Sequence, residues 1–462
     1  MNKQLELRYG LLAVGALVTG VALALFIDLS MAYGIGLGVV GAVMGALQLR
    51  SDPRLLVQTI LRDLKRVLPV LFTMTLIGML VPIWMHTGTL ASLMHFGLEY
   101  LLFDNLLLAA FVFCTFISML LGTGIGTLST AGLVFMGIGA LAGIPPAAMT
   151  GAILSGAYLG DRSSPMSSSA LLIAAMTETN LMDNVKEMMR TGLPAFVLTC
   201  LAFFALGSYV YPAVGFDPVA VDSTKDLLSS KWTLSPWTYL SPAILLLVVV
   251  GLRKPIWMAM GGSILVSFLV GWSSGLSPFD MVQSTITGYS APQADMASLM
   301  GGSGALSMLT VNIVISLSAI LNSILKSTGM LSALVDPLVG RPTTSRQLFW
   351  RSGLLSFVVT LVACNQSMAA LVSGDRFKDL FRDKGLPANY LARMIADTGI
   401  VVVALIPWNV NGLVASAIMG VPTVTYLPFT IFCWLTPLVA LVFTGLWRHP
   451  LTKVAPSVSK SS

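Results

Sequence analysis

Long apolar runs alternate with short polar ones along this chain, and the runs have the length of membrane helices. A helix crosses bilayer hydrocarbon with roughly 20 apolar residues. Runs of this kind cover residues 9–27, 31–49, 67–84, 145–161, 194–212, 238–252, 256–273, 303–323, 388–407 and 426–446. Each predicts a transmembrane helix. Two further apolar segments are interrupted. Residues 105–142 are broken by "GTGIGTLSTAG"; residues 348–374 are broken by "CNQS" and then meet the basic stretch "DRFKDLFRDKG". Both predict re-entrant hairpins, since non-helical backbone at membrane depth is tolerated only inside protein or beside a water-filled cavity. The expected fold is an all-α polytopic membrane protein, with about ten transmembrane helices plus two re-entrant hairpins.

Basic residues between the runs set the orientation, because they gather on the cytoplasmic side. Lys3 and Arg8 precede the first run, and Arg50, Arg54, Arg62, Lys65 and Arg66 follow the second. Lys186 with Arg190, Arg253 with Lys254, and Lys326, Arg341, Arg346 and Arg351 mark further cytoplasmic segments. Arg448, Lys453 and Lys460 place the C-terminus inside, with the N-terminus. Residues 85–104 and 274–302 carry no Lys or Arg and are expected outside, as is the acidic loop 213–236.

Composition agrees. The chain is 56% hydrophobic and 10% charged, whereas a soluble domain is about 25% charged. The net charge of +6 is accounted for by orientation signals in short loops, so nucleic acid is not an expected partner. Cys114, Cys200, Cys364 and Cys433 lie inside apolar segments without metal-like spacing and read as core residues. The opening "MNKQLELRYGLLAV" leads into a run that continues into a second, which argues for a retained helix and against a cleaved signal.

The two halves resemble each other at an offset of about 242. "AGIPPAAM" from residue 142 answers "KGLPANYL" from 384, Pro165 falls on Pro407, and "PMSSSALLIAAM" falls on "PWNVNGLVASAI". Upstream, "MHTGTLASL" at 85 answers "KSTGMLSAL" at 326. The run 67–84 passes outward and its partner 303–323 passes inward, so the duplication is expected to be inverted. Inverted repeats with matching broken helices mark secondary transporters, whose sites lie at the breaks near the midplane. Chance alignment of Gly and Pro is the alternative. The expected organisation is an N-terminal helical pair with a basic cytoplasmic loop (1–66), repeat one (67–212), extracytoplasmic loops and connecting helices (213–302), repeat two (303–446) and a cytoplasmic tail (447–462).

Within the membrane two carboxylates stand out, Asp161 and Asp397. A charged, unpaired group there is costly, so each is a candidate functional residue. Structural pairing competes with that reading: Arg162 adjoins Asp161, and Arg393 precedes Asp397 by one turn, where side chains can meet. Ser163, Ser164, Ser167, Ser168 and Ser169 flank Pro165; Asn409 and Asn411 follow Pro407. Proline breaks a helix, and the freed carbonyls, hydroxyls and amides can coordinate Na+ or a polar solute. The same serines can instead satisfy helix backbone. Thr123, Thr127, Asn365 and Gln366 in the hairpins form a third set, each open to a packing role; Thr398 adjoins Asp397. "GTGIG" lacks the context of a phosphate loop. His86, His95 and His449 assemble no metal cluster, and no nucleophile–base set predicts an enzyme.

Four blocks, "LIGMLVPIWMHTGTLASLMHFGLEYL", "GTGIGTLSTAGLVFMGIGALAGIP", "GAILSGAYLGDRSSPMS" and "ADTGIVVVALIPWNVNG...MGVPTVTYLPF", resemble the successive signature blocks of the NhaC family of Na+/H+ antiporters. The resemblance runs from about 65 to 440 and implies an ion-coupled exchanger with Asp161 and Asp397 at the family's acidic positions. It also implies a bacterial inner-membrane location and a family that includes exchangers of organic solutes. Two positions depart from the pattern. Ser168 stands where the family usually has a carboxylate, and Asn365 precedes Gln366 where it often has Asp.

The expected mechanism is alternating access, with Asp397 exchanging a proton for Na+ and Asp161, Ser164, Ser167 and Asn409 completing the shell. A buried carboxylate suits this exchange, because desolvation favours its neutral form and a nearby cation its charged form. The alternative is proton- or Na+-coupled movement of a small organic acid or amino acid. A passive channel and a membrane enzyme are weaker alternatives. Expected partners are Na+ and H+ or a small organic solute, the lipid bilayer and a second copy of the chain; no cofactor is expected.

Overall fold

Short polar side chains begin many of the apolar helices. Ser30 accepts from Ala32 N and Asp52 from Arg54 N, which occupies otherwise orphaned first-turn donors. The computed structural model describes residues 3–27, 29–100, 105–211, 241–245, 254–289, 302–340 and 342–446, with a few further positions between 226 and 252. Its helices in chain order are α1 (Lys3–Phe26), α2 (Met31–Gln48), α3 (Pro53–His86), α4 (Thr89–Tyr100), α5 (Leu106–Leu121), α6 (Gly124–Thr127), α7 (Leu133–Leu141), α8 (Pro146–Ser163), α9 (Ser168–Thr177) and α10 (Leu181–Ala205). There follow α11 (Ile256–Ser273), α12 (Pro278–Thr287), α13 (Met308–Ser327), α14 (Met330–Val339), α15 (Ser345–Ala363), α16 (Gln366–Asp383), α17 (Ala388–Ile395), α18 (Val410–Met419), α19 (Thr423–Tyr426) and α20 (Ile431–Leu446). Among the described residues the extended structure is one antiparallel pair, Gly288–Tyr289 against Gly302–Ser303.

The protein is an all-α membrane protein. Six helical stretches are long and apolar enough to cross a bilayer, and a seventh is added if α18 and Thr423–Phe429, bent by 87°, count as one. The runs expected at 145–161, 256–273 and 426–446 are helical as well, as α8, α11 and α20. They are too short or too polar to qualify by length and composition alone. The expected span 238–252, the loop 213–236 and the tail 447–462 lie wholly or mostly outside the described residues.

Several stretches expected as loops are helical. The basic segment after α2 is the first third of α3, which runs 34 residues. Asp52 caps it and Pro53 supplies a preset φ at its first position; charge alone does not stop a helix. For the same reason α10 begins at Leu181, ahead of the expected 194, with Asn180 as its cap.

Helix ends recur at one spacing. The α8 helix covers 146–163, and α17 with its π- and 3₁₀-helical continuation covers 388–405. Likewise α9 covers 168–177 and α18 covers 410–419, 242 residues on. Left-handed residues follow suit: Gly88 and Gly329, Gly122 and Cys364, Gly143 and Gly385, Glu178 and Gly420. Such residues terminate helices by turning the chain out of the ladder.

Small residues let the helices approach closely. A Cβ on Gly156 would lie 2.4 Å from Phe111 O, and one on Gly160 would lie 2.4 Å from Ser118 Cβ. These contacts press α5 against α8 without a hydrophobic driving force, as in other membrane bundles. Large apolar side chains face outward, among them Phe26, Leu47, Phe116 and Trp272. On a soluble protein such an apolar surface would aggregate; here it suits lipid.

Candidate functional site

The last turn of α8 buries three consecutive polar residues, Asp161, Arg162 and Ser163. Neighbours on a helix point about 100° apart, so Asp161 and Arg162 face different partners. The adjacent pairing expected from sequence is not formed. Arg162 instead makes a fully buried ion pair with Asp397. The pairing expected between Arg393 and Asp397 is also absent: Arg393 donates to Glu187 Oε1 at 2.6 Å. Asp397 sits in a π-helical turn, Ala396–Ile400, which turns its side chain out of α-helical register with Arg393; π-bulges often sit at functional sites.

Asp161 has no cationic side chain paired to it among the described residues. It accepts from Ser167 Oγ at 2.9 Å, Ser169 Oγ at 3.2 Å and Gln366 Nε2 at 3.4 Å. Gln366 Nε2 also reaches Ser169 Oγ at 2.6 Å, and Asn411 Nδ2 donates to Gln366 Oε1. The cluster therefore joins four breaks or helix starts: the end of α8, the start of α9, the start of α16 and the start of α18. Uncharged oxygen-bearing groups surround one buried carboxylate.

The remaining candidates shape the breaks. Ser164 Oγ donates to Met119 O at 2.7 Å and accepts from Met166 N at 3.1 Å. Asn409 caps α18 through Asn411 N at 3.1 Å and donates to Thr360 O at 3.2 Å. Asn365 caps α16 through Ser367 N at 2.8 Å. Thr123 accepts from Gly126 N at 3.4 Å, Thr127 returns to Thr123 O at 3.0 Å, and Thr398 to Met394 O at 2.7 Å. Ser168 is exposed at the first position of α9. Of the residues singled out from sequence, Ser167, Gln366 and Asn411 lie in Asp161's cluster, whereas Ser164, Asn409, Asn365, Thr123, Thr127 and Thr398 bond backbone and Ser168 is exposed.

Two buried neighbours of the arginines escaped the sequence reading. Glu187 is buried on α10, and its Oε2 also meets Arg190 at 3.1 Å. Thr191 Oγ1 accepts from Arg162 Nη2 at 2.8 Å, as does Met188 O. The signal was available in the buried face of α10, which repeats at helical spacing through Asn184, Glu187, Met188, Thr191, Gly192, Ala195 and Thr199. Glu187 and Thr191 lie on that stripe. Among the described residues no group of three or more His, Cys, Asp or Glu is placed to hold a metal ion.

Residues 156–446 match the family described as the Na+/H+ antiporter family. The chain is 28% identical over 381 residues to the Na+/H+ antiporter NhaC of Bacillus subtilis, covering 80% of this chain and 83% of that protein. It is 27% identical over 426 residues to the malate-2H+/Na+-lactate antiporter of the same organism, covering 89% and 90%. A third relative, the Na+/H+ antiporter NhaC of Alkalihalophilus pseudofirmus, is 26% identical over 454 residues, covering 96% of each. The family match spans more than half of the chain and contains Asp161, Arg162, Glu187, Arg393, Asp397 and Gln366, and on that ground the chain belongs to the Na+/H+ antiporter family.

Proposed function

We propose that the protein is a Na+/H+ antiporter of the bacterial inner membrane, and that Asp161 is the carboxylate for which Na+ and H+ compete. The observation that carries this reading is the contrast between the two buried carboxylates. Arg162 fills the place a cation would take at Asp397. Among the described residues, the side chains that hydrogen-bond Asp161 are hydroxyls and an amide. A serine hydroxyl can rotate to present a lone pair, and an amide has an acceptor oxygen. Ser167, Ser169 and Gln366 would then complete an oxygen shell for Na+. A proton on Asp161 removes the charge that holds the ion, so one group bound to either cation is sufficient for exchange. This reading moves the exchanging role from Asp397 to Asp161 and gives Asp397 the task of neutralising Arg162.

Residues 67–212 and 303–446 act as two repeats of opposite orientation that rock about this cluster, with both termini cytoplasmic. The spacing of 241–242 between their left-handed residues and helix ends supports the duplication. The absence of basic residues from 85–104 and 274–302 supports the orientation. Asp161→Asn should abolish Na+-dependent collapse of a pH gradient in everted membrane vesicles while the protein is still inserted. Collapse at the wild-type rate in that variant would refute the role.

A second reading is exchange of a small carboxylate. Arg162 Nε and Nη1 are buried and have no hydrogen-bond partner, and a guanidinium edge binds carboxylate in bidentate fashion. One relative, at 27% identity, is a malate-2H+/Na+-lactate antiporter.

A further inference from the structure

The first turns of α10 contact both buried arginines, one from each half of the chain. Glu187 holds Arg393, while Met188 O and Thr191 Oγ1 hold Arg162. Gly192 completes the surface: a Cβ there would lie 2.6 Å from Arg162 Nη1. All three acceptors of Arg162, including Asp397 Oδ1, converge on one nitrogen, Nη2. Among the described residues the guanidinium is therefore hydrogen-bonded through one atom, with no partner at Nε and Nη1, and lacks the parallel two-bond geometry frequent in arginine–carboxylate pairs. Asp397 Oδ2 is likewise buried, with the Thr191 hydroxyl beside the carboxyl. Adjacent charges on one helix can meet, as Arg62 and Asp63 do at 3.9 Å, so the acceptors on α10 bear on whether Arg162 pairs with Asp397 or with its backbone neighbour Asp161.

We infer that the α10 turn Met188–Gly192 is a clamp that keeps Arg162 on Asp397 and off Asp161, so that Asp161 stays available to a cation. Thr191 and Gly192 are positioning residues that contact Arg162, and Thr191 also lies against the Asp397 carboxyl. The inference rests on the proposed role of Asp161 only for its consequence; the placement of Arg162 can be tested without transport.

The test is covalent labelling of the full-length protein in detergent with dicyclohexylcarbodiimide, which attacks carboxyl groups in apolar surroundings. Labelled positions are read by peptide mass spectrometry. In wild-type protein Asp161 should label and Asp397, covered by Arg162, should not. Gly192→Ala places a methyl against Nη1 yet favours the helix; Thr191→Val removes the hydroxyl acceptor at nearly constant shape. Each should lower the ratio of Asp161 to Asp397 labelling by about tenfold, as a unit charge shifts between the two sites. An unchanged ratio in both variants, or no labelling of Asp161 in the wild type, overturns the clamp. A separate arm adds NaCl to wild-type protein. Failure of Na+ to protect Asp161 counts against the Na+ reading and leaves the clamp standing.

Discussion

Glu187 and Arg393 form a buried pair joining α10 to α17, with side chains 4% and 1% exposed. Breaking such a pair strands a charge and costs about 3–5 kcal/mol, whereas replacing both members by apolar residues is often neutral. Arg393→Leu should therefore lower thermal stability in detergent strongly, and Glu187→Leu with Arg393→Leu should recover most of it. Additive losses in the double variant would mean that the two charges are not each other's main partners. At this scale the sequence was a partial guide. Burial of Asp161 and Asp397 followed from their place in apolar runs. Their partners did not, because short sequence spacing is only one way for charges to meet. Arg162 and Asp397 lie 235 positions apart, and such a contact is decided by packing between halves.

The breaks are the elements that bring these residues together. Gly122 ends α5 with φ 66°, and a Cβ there would sit 2.5 Å from the carbonyl carbon of Met166. Backbone cannot yield as a flexible side chain can. Gly122→Ala should destabilise the protein by at least the 1–2 kcal/mol of a left-handed residue, measured by thermal unfolding. Stability equal to wild type would show that the two breaks are not pressed together. Breaks at Pro165 and Pro407 were legible because proline and its flanking serines or asparagines announce a helix end and a new cap. The starts of α3 and α10 were not, since helices continue into water when caps and amphipathic faces support them. The π-turn at Asp397 had no sequence signal at all.

Across the whole molecule, the proposed inverted duplication makes a topological prediction. A single cysteine introduced within 379–384, at the end of α16, should react with an impermeant maleimide only from the cytoplasmic side. Reaction from outside would reverse the orientation assigned to the second half. The proposed repeat rests in sequence on a few glycines and prolines, and helix ends recur at the same spacing. The number of crossings was less visible, because hydropathy cannot separate a short broken helix from a span.

The account turns on cation exchange at Asp161, and one measurement addresses it directly. Purified protein is reconstituted into proteoliposomes holding a pH-sensitive dye, and Na+ is added outside. The account predicts that the lumen becomes alkaline as Na+ enters and protons leave, and that Asp161→Asn vesicles show no change. A lumen indifferent to Na+, or an Asp161→Asn protein that responds like the wild type, would contradict it.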